Sequence, residues 1–133
     1  MIWVQLVTLL AVIQFVAFGL LVGKARGTYN VPAPATTGNA NFERYFRVHM
    51  NTLETLVFLL PALWIAASYW QPKWAAAIGA IYLIGRQFYL SGYVADPRKR
   101  ELGYGLSFVP AAILTLIALW GIARALMVGA PPV

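Results

Sequence analysis

Apolar residues run almost unbroken through four stretches of this chain, and polar or helix-breaking residues interrupt them at three places. A hydrocarbon layer about 30 Å thick takes roughly 20 residues of apolar helix. The runs at about 2–23, 42–70, 73–94 and 97–127 therefore predict four transmembrane helices. The first run lacks a basic start and a small-residue cleavage site and is long for a leader, so it reads as a membrane helix. Its end is expected at Gly23-Lys24-Ala25-Arg26-Gly27, where glycine and charge meet. Residues 24–41 then form a long connection rich in turn and breaker residues, Val31-Pro32-Ala33-Pro34 and Thr36-Thr37-Gly38-Asn39. Asn41 is the expected N-cap of the second helix, with Glu43 in its favourable first turn, and Pro61 predicts a bend. Gln71-Pro72-Lys73 between Trp70 and Trp74 predicts a tight turn at the membrane interface, which makes helices two and three antiparallel neighbours. Asp96-Pro97 supplies the N-cap and first position of the fourth helix, whose first half Gly103, Gly105 and Pro110 make irregular. The expected architecture is one all-α domain over residues 1–133, a four-transmembrane-helix up-down bundle.

Composition agrees with lipid as the solvent. Of 133 residues, 61% are hydrophobic and 11% charged, and the mean hydropathy is +0.71, too apolar for the surface of a small soluble domain. The absence of cysteine excludes disulfides, thiolate metal sites and a cysteine nucleophile, so any thiol chemistry must use a substrate's sulfur. The formal charge of +6 is first a topology signal and does not imply nucleic acid. Lys24, Arg26, Arg44, Arg47, Arg98, Lys99 and Arg100 fall at one side of the predicted spans, Lys73 and Arg124 at the other. The basic side is expected to face the cytoplasm, in a bacterial inner membrane or one of endoplasmic-reticulum type.

Ionisable groups inside a span cost about 2.5–3.5 kcal/mol each at its centre, so they need partners or a function. Arg44, Arg47, Asn51 and Glu54 fall within an arc of roughly 80° on helix two. Tyr82, Arg86, Tyr89 and Tyr93 share a narrow face of helix three. Antiparallel packing would bring Glu54 and Arg86 to similar depth, so a buried Glu54–Arg86 ion pair is expected. Polar residues also serve simply to hold membrane helices together. Structural glue needs balanced charge, however, and Glu54 is the one deep acid, so an anionic ligand is the better explanation of the excess cations. Arg98 and Lys99 read as a solvated positive flank. Arg100, near a helix N-terminus, favours an anion such as a thiolate. His49 points away from the helix-two stripe and, as the single histidine, cannot form a histidine-pair metal site; a packing role is expected. No phosphate loop, dinucleotide fingerprint, HExxH or serine-nucleophile pattern is present.

These residues resemble the motifs of the MAPEG family, the membrane-associated proteins of eicosanoid and glutathione metabolism. Thr36-Thr37-Gly38, Phe42-Glu43-Arg44 and Arg47-x-His49-x-Asn51-x-x-Glu54 resemble the family's loop and second-helix motif. Arg86, Tyr89-x-x-Gly92-Tyr93 and Arg100 resemble its third-helix block. The resemblance implies a homotrimer of four-helix protomers, with glutathione held between protomers near the cytosolic end and no metal. It implies that Arg26, Arg47, Asn51, Glu54, Tyr89 and Tyr93 bind glutathione, that Arg86 binds or supports, and that Arg100 stabilises the thiolate. Gly27 and Thr55 replace larger polar residues of some eicosanoid synthases, and Asp96-Pro97-Arg98-Lys99-Arg100 is similar to the microsomal glutathione transferase branch. Both departures argue against a dedicated leukotriene synthase.

The expected function is conjugation of glutathione, as co-substrate, to lipophilic electrophiles entering from the bilayer, together with reduction of lipid hydroperoxides. A non-catalytic family member that binds a lipid or presents it to a partner is the first rival. A small multidrug transporter is the second, disfavoured because the first span offers only Gln5, Thr8 and Gln14 where such a transporter needs an acid.

Overall fold

The apolar runs fold into four long helices. The computed structural model describes residues 1–129 as α1 (Ile2–Tyr29), α2 (Ala40–Tyr69), α3 (Pro72–Ala95), a short 3-10 turn (Pro97–Arg100) and α4 (Glu101–Val128). Three of the helical segments, 2–29, 40–69 and 97–128, are long and apolar enough to cross a membrane. At 24 residues, α3 spans roughly 36 Å and is also long enough, but Lys73, Arg86 and Gln87 make it more polar. Its buried face carries Tyr82, Arg86 and Tyr89 beside small residues, a composition that only packed neighbours can shelter from lipid.

α2 packs against each of the other three helices, and α1 and α4 each pack against both α2 and α3. The main core, which includes Val4, Val7, Leu56, Leu59, Leu63, Tyr82 and Leu114, lies among all four helices. The lipid-directed surface is equally apolar: Ile2, Leu20, Val57, Leu116 and Trp120 are each largely exposed.

Two boundaries differ from the sequence expectation. α1 does not stop at Gly23 but continues through Gly27 to Tyr29, and Asn30 caps it in the left-handed conformation. A glycine within a helix costs only about 1 kcal/mol. Here Val22 and Ala25 of the last turns are buried with Val31 and Phe42, and Arg26 sits favourably near the C-terminal end of the helix dipole. The N-cap of α2 is Asn39 rather than Asn41: its side chain accepts hydrogen bonds from the backbone N–H of Asn41 at 2.9 Å and Phe42 at 3.1 Å, the two donors that a cap at this position can reach. α2 runs without interruption through Pro61.

The capping expected of Asp96-Pro97 is present, although it opens a 3-10 turn before α4 proper begins. The Asp96 carboxylate accepts from the backbone N–H of Arg98 at 3.0 Å and pairs with its guanidinium at 3.3 Å. Both contacts, backbone first, hold the Asp96 carboxyl below its ordinary range. A depressed acid stabilises the fold above its unfolded pKa and ceases to do so only as pH falls through the folded value, so this cap is intact at neutral pH.

Tight contact between α3 and α4 depends on missing side chains. A Cβ on Gly85 would stand 2.6 Å from the carbonyl carbon of Leu106, and one on Gly103 would overlap the backbone of Tyr89. This is the small-residue seam by which membrane helices approach closely. A Cβ on Gly105 meets nothing within 4 Å. Gly103→Ala is expected to lower the thermal unfolding midpoint in detergent, consistent with an overpacking cost of about 1–3 kcal/mol, whereas Gly105→Ala leaves it unchanged or raises it.

Candidate functional site

A guanidinium buried inside the bundle organises the polar residues of α2 and α3. Arg86 has no solvent exposure. Its Cζ lies 4.0 Å from the ring centroid of Tyr89 and 5.9 Å from that of Tyr82, so aromatic faces take up part of its charge. Its Nη1 donates to Asn51 Oδ1 at 2.9 Å and to Thr55 Oγ1 at 3.1 Å. Asn51 and Thr55 are one helical turn apart on α2, as Tyr82 and Arg86 are on α3, so each pair faces the other helix at one level. Arg86 Nε and Nη2, the other edge of the guanidinium, are buried and find no acceptor among the described residues.

The expected Glu54–Arg86 ion pair is not formed. Glu54 is exposed and accepts instead from Asn51 Nδ2 at 3.3 Å. Asn51 thus stands between the two charges, its carbonyl toward the arginine and its amide toward the acid. The physical reason lies in facing: Asn51 and Thr55 occupy the side of α2 turned to α3, while Glu54 falls on the outer edge of the stripe. Among the described residues the one ion pair is the exposed Arg98–Asp96 contact, so the cations gathered here have no ion-pair partner among them.

Tyr89 is buried and Tyr93 half-buried, their rings stacked with centroids 5.5 Å apart. Arg86 lies over the Tyr89 ring, Arg47 precedes Asn51 by about one turn of α2, and Arg100 ends the 3-10 turn that packs against α3. Arg47 and Arg100 are exposed, so Asn51, Glu54, Arg86, Tyr89 and Tyr93 with these two arginines form one polar region at the basic end of the bundle. Arg44 belongs to its frame: its Nη1 donates to the carbonyls of Val94 at 3.0 Å and Ala95 at 3.3 Å, tying the start of α2 to the end of α3.

Arg26 is placed elsewhere. Its Nη1 donates to the carbonyls of Val31 at 3.2 Å and Ala35 at 2.6 Å, and its guanidinium lies over the Phe42 ring at 4.8 Å. Phe42 precedes Asn51 by more than two turns, roughly 13 Å along α2, so within one protomer Arg26 braces the 30–39 loop and does not reach the Arg86 cluster. His49 stacks on Phe15 of α1 at 4.4 Å between centroids, the packing role expected of it. Sequence reasoning missed the contribution of Thr55, which bonds both Arg86 and the Tyr82 hydroxyl. Its signal was the one-turn spacing from Asn51, opposite the one-turn spacing of Tyr82 and Arg86.

A four-helix bundle with a buried arginine, stacked tyrosines and a surplus of cations at one end has groups of the chemistry that accepts an anion. Residues 4–120 match the profile of the MAPEG family, and the chain belongs to that family. It is 44% identical over 122 residues to an uncharacterized protein of Synechocystis sp., covering 92% of this chain and 89% of that one. It is 39% identical over 121 residues to microsomal glutathione S-transferase 2 of Homo sapiens, covering 91% and 82%. It is 38% identical over 94 residues to leukotriene C4 synthase of Rattus norvegicus, covering 71% and 63%.

The arrangement sorts the two charges. Arg86→Lys is expected to lower the unfolding midpoint in detergent, because an ammonium cannot bridge Asn51 and Thr55 while lying flat on Tyr89. Glu54→Gln, an exposed change, should alter stability by no more than about 0.5 kcal/mol. A Glu54→Gln loss as large as that of Arg86→Lys would restore the buried ion pair.

Proposed function

We propose that this protein is a membrane-bound glutathione transferase that conjugates glutathione to lipophilic electrophiles, and that it also reduces lipid hydroperoxides to the alcohol and water while two glutathione thiols are oxidised to the disulfide. The observation that carries the reading is the gathering of Arg47, Arg86 and Arg100 with no ion-pair partner among the described residues, beside one acid oriented by Asn51. The names of the similar proteins, a microsomal glutathione S-transferase and a leukotriene C4 synthase, support the same class.

Glutathione offers two carboxylates, one ammonium and one thiol. Guanidinium groups bind carboxylates through paired, charge-assisted hydrogen bonds, and Glu54, already held by Asn51, suits the ammonium. Arg47 takes a carboxylate, Arg86 supports the site from below through Asn51, and Tyr89 and Tyr93 offer hydroxyls and ring faces. A free thiol has a pKa near 8.5, so about 3% is thiolate at pH 7; a cation that lowers the pKa by about 1.5 units makes roughly half of it thiolate. Arg100 is the group assigned to this task. The thiolate sulfur then forms the C–S bond, and its electron pair displaces the leaving group or adds to the electrophilic carbon; Arg100 itself transfers no proton.

Arg47, Glu54 and Arg100 lie exposed on the isolated chain, which suits a ligand enclosed between copies of a homotrimer. In that assembly Arg26 remains a candidate through the atoms it does not use on the loop. The basic end is assigned to the cytoplasm by its excess of arginine and lysine.

Titration of glutathione into the detergent-solubilised protein at neutral pH, read as ultraviolet thiolate absorbance, tests the reading. The wild-type protein should show a saturable thiolate band, and Arg100→Ala should reduce it about tenfold, with turnover falling in parallel. Saturable glutathione binding without any thiolate band would favour a binding protein over an enzyme.

A further inference from the structure

The hydrogen bonds around Arg86 do not end at the groups assigned to glutathione. Thr55 Oγ1 lies 2.8 Å from Tyr82 Oη and 3.1 Å from the carbonyl oxygen of Thr52, as well as 3.1 Å from Arg86 Nη1. Tyr82, with no solvent exposure, has one further acceptor in reach, the Thr52 carbonyl at 3.4 Å. Five side chains are therefore joined in sequence: Tyr82, Thr55, Arg86, Asn51 and Glu54.

Donor and acceptor counting fixes the direction of most of this chain. A hydroxyl has one proton and two lone pairs, and an arginine nitrogen only donates. With Arg86 Nη1 donating into Thr55, the better-placed arrangement has Thr55 donate to Thr52 and accept from Tyr82. Thr55 is then saturated, and so is Arg86 Nη1, whose two protons go to Thr55 and Asn51. Because Asn51 accepts from Arg86 through its oxygen, its NH2 must turn toward Glu54. Arg86 alone therefore sets which face of the Asn51 amide the acid meets, while Thr55, held in turn by Tyr82, fixes where Arg86 Nη1 stands and so the position from which the amide presents its NH2 to Glu54.

We propose that Tyr82 and Thr55 are positioning residues for glutathione recognition, acting through Arg86 and Asn51 to aim Glu54 at the ammonium of the tripeptide. The inference rests on the glutathione reading and adds two buried residues that touch no substrate. An interaction made equally in ground state and transition state changes KM more than kcat. Loss of one neutral hydrogen bond in such a chain corresponds to a roughly three- to tenfold change.

The test compares glutathione with its des-amino analogue, which keeps both carboxylates and the thiol but lacks the ammonium. For Tyr82→Phe and Thr55→Val, KM for glutathione should rise roughly three- to tenfold with kcat nearly unchanged, while constants for the des-amino analogue match those of the wild type. Thr55→Ser, which restores the hydroxyl, should recover the wild-type KM. Should Tyr82→Phe not fold, the Thr55→Val and Thr55→Ser pair decides alone. Equal losses on both ligands, or failure of Thr55→Ser to recover, would overturn the positioning role while leaving the glutathione reading intact. No glutathione binding by the wild-type protein would instead remove the reading itself.

Discussion

Keeping a guanidinium at the centre of a helix bundle is the constraint on which the rest of this molecule turns. An unpaired buried charge costs several kcal/mol even after relaxation, and among the described residues no carboxylate pairs with Arg86. The bundle answers with polarisable and neutral groups: the Tyr89 face at 4.0 Å, the Asn51 carbonyl and the Thr55 hydroxyl. These compensate one edge of the cation and leave Nε and Nη2 without a hydrogen-bond acceptor among the described residues.

The same demand explains the unequal character of the helices. α1 and α4 spread large apolar side chains toward lipid, among them Leu20, Leu116 and Trp120, and need little from each other. α2 and α3 carry the polar load, so they occupy the positions with packed neighbours on more than one side. Arg44, donating to the last carbonyls of α3, and Asp96, opening the 3-10 turn, tie the ends of these helices where the cations collect. The site is thus framed at its rim by backbone contacts and at its base by buried hydroxyls.

Much of this was legible in the chain itself. The four helices followed from apolar runs and breakers, the polar stripes on α2 and α3 from helical spacing, and the common face of Tyr89 and Tyr93 from their four-residue separation. The end of α1 was not legible, because glycine and charge at 23–27 signal a stop only when no tertiary contact favours continuing; Val22, Ala25, Val31 and Phe42 supply that contact. Asn39 and Asn41 are equivalent caps in composition, and only the backbone geometry chose between them. The Glu54–Arg86 expectation failed for a related reason. Depth along a helix can be counted from sequence, but a rotation of a few tens of degrees decides whether Asn51 or Glu54 meets the partner. Arg26 shows a further limit, since the carbonyls that it holds belong to a loop whose path no periodicity records.

The seam between α3 and α4 has a mechanical meaning. Gly85 rests against the backbone at Leu106, and Gly103 against that of Tyr89, so the two helices touch main chain to main chain. The contact falls next to both Tyr89 and Arg100. Such a seam cannot slide without backbone collision, and the two residues therefore travel as parts of one stiff plate. The separation of the tyrosine and the arginine is thus set by main-chain contact rather than by side chains that could repack.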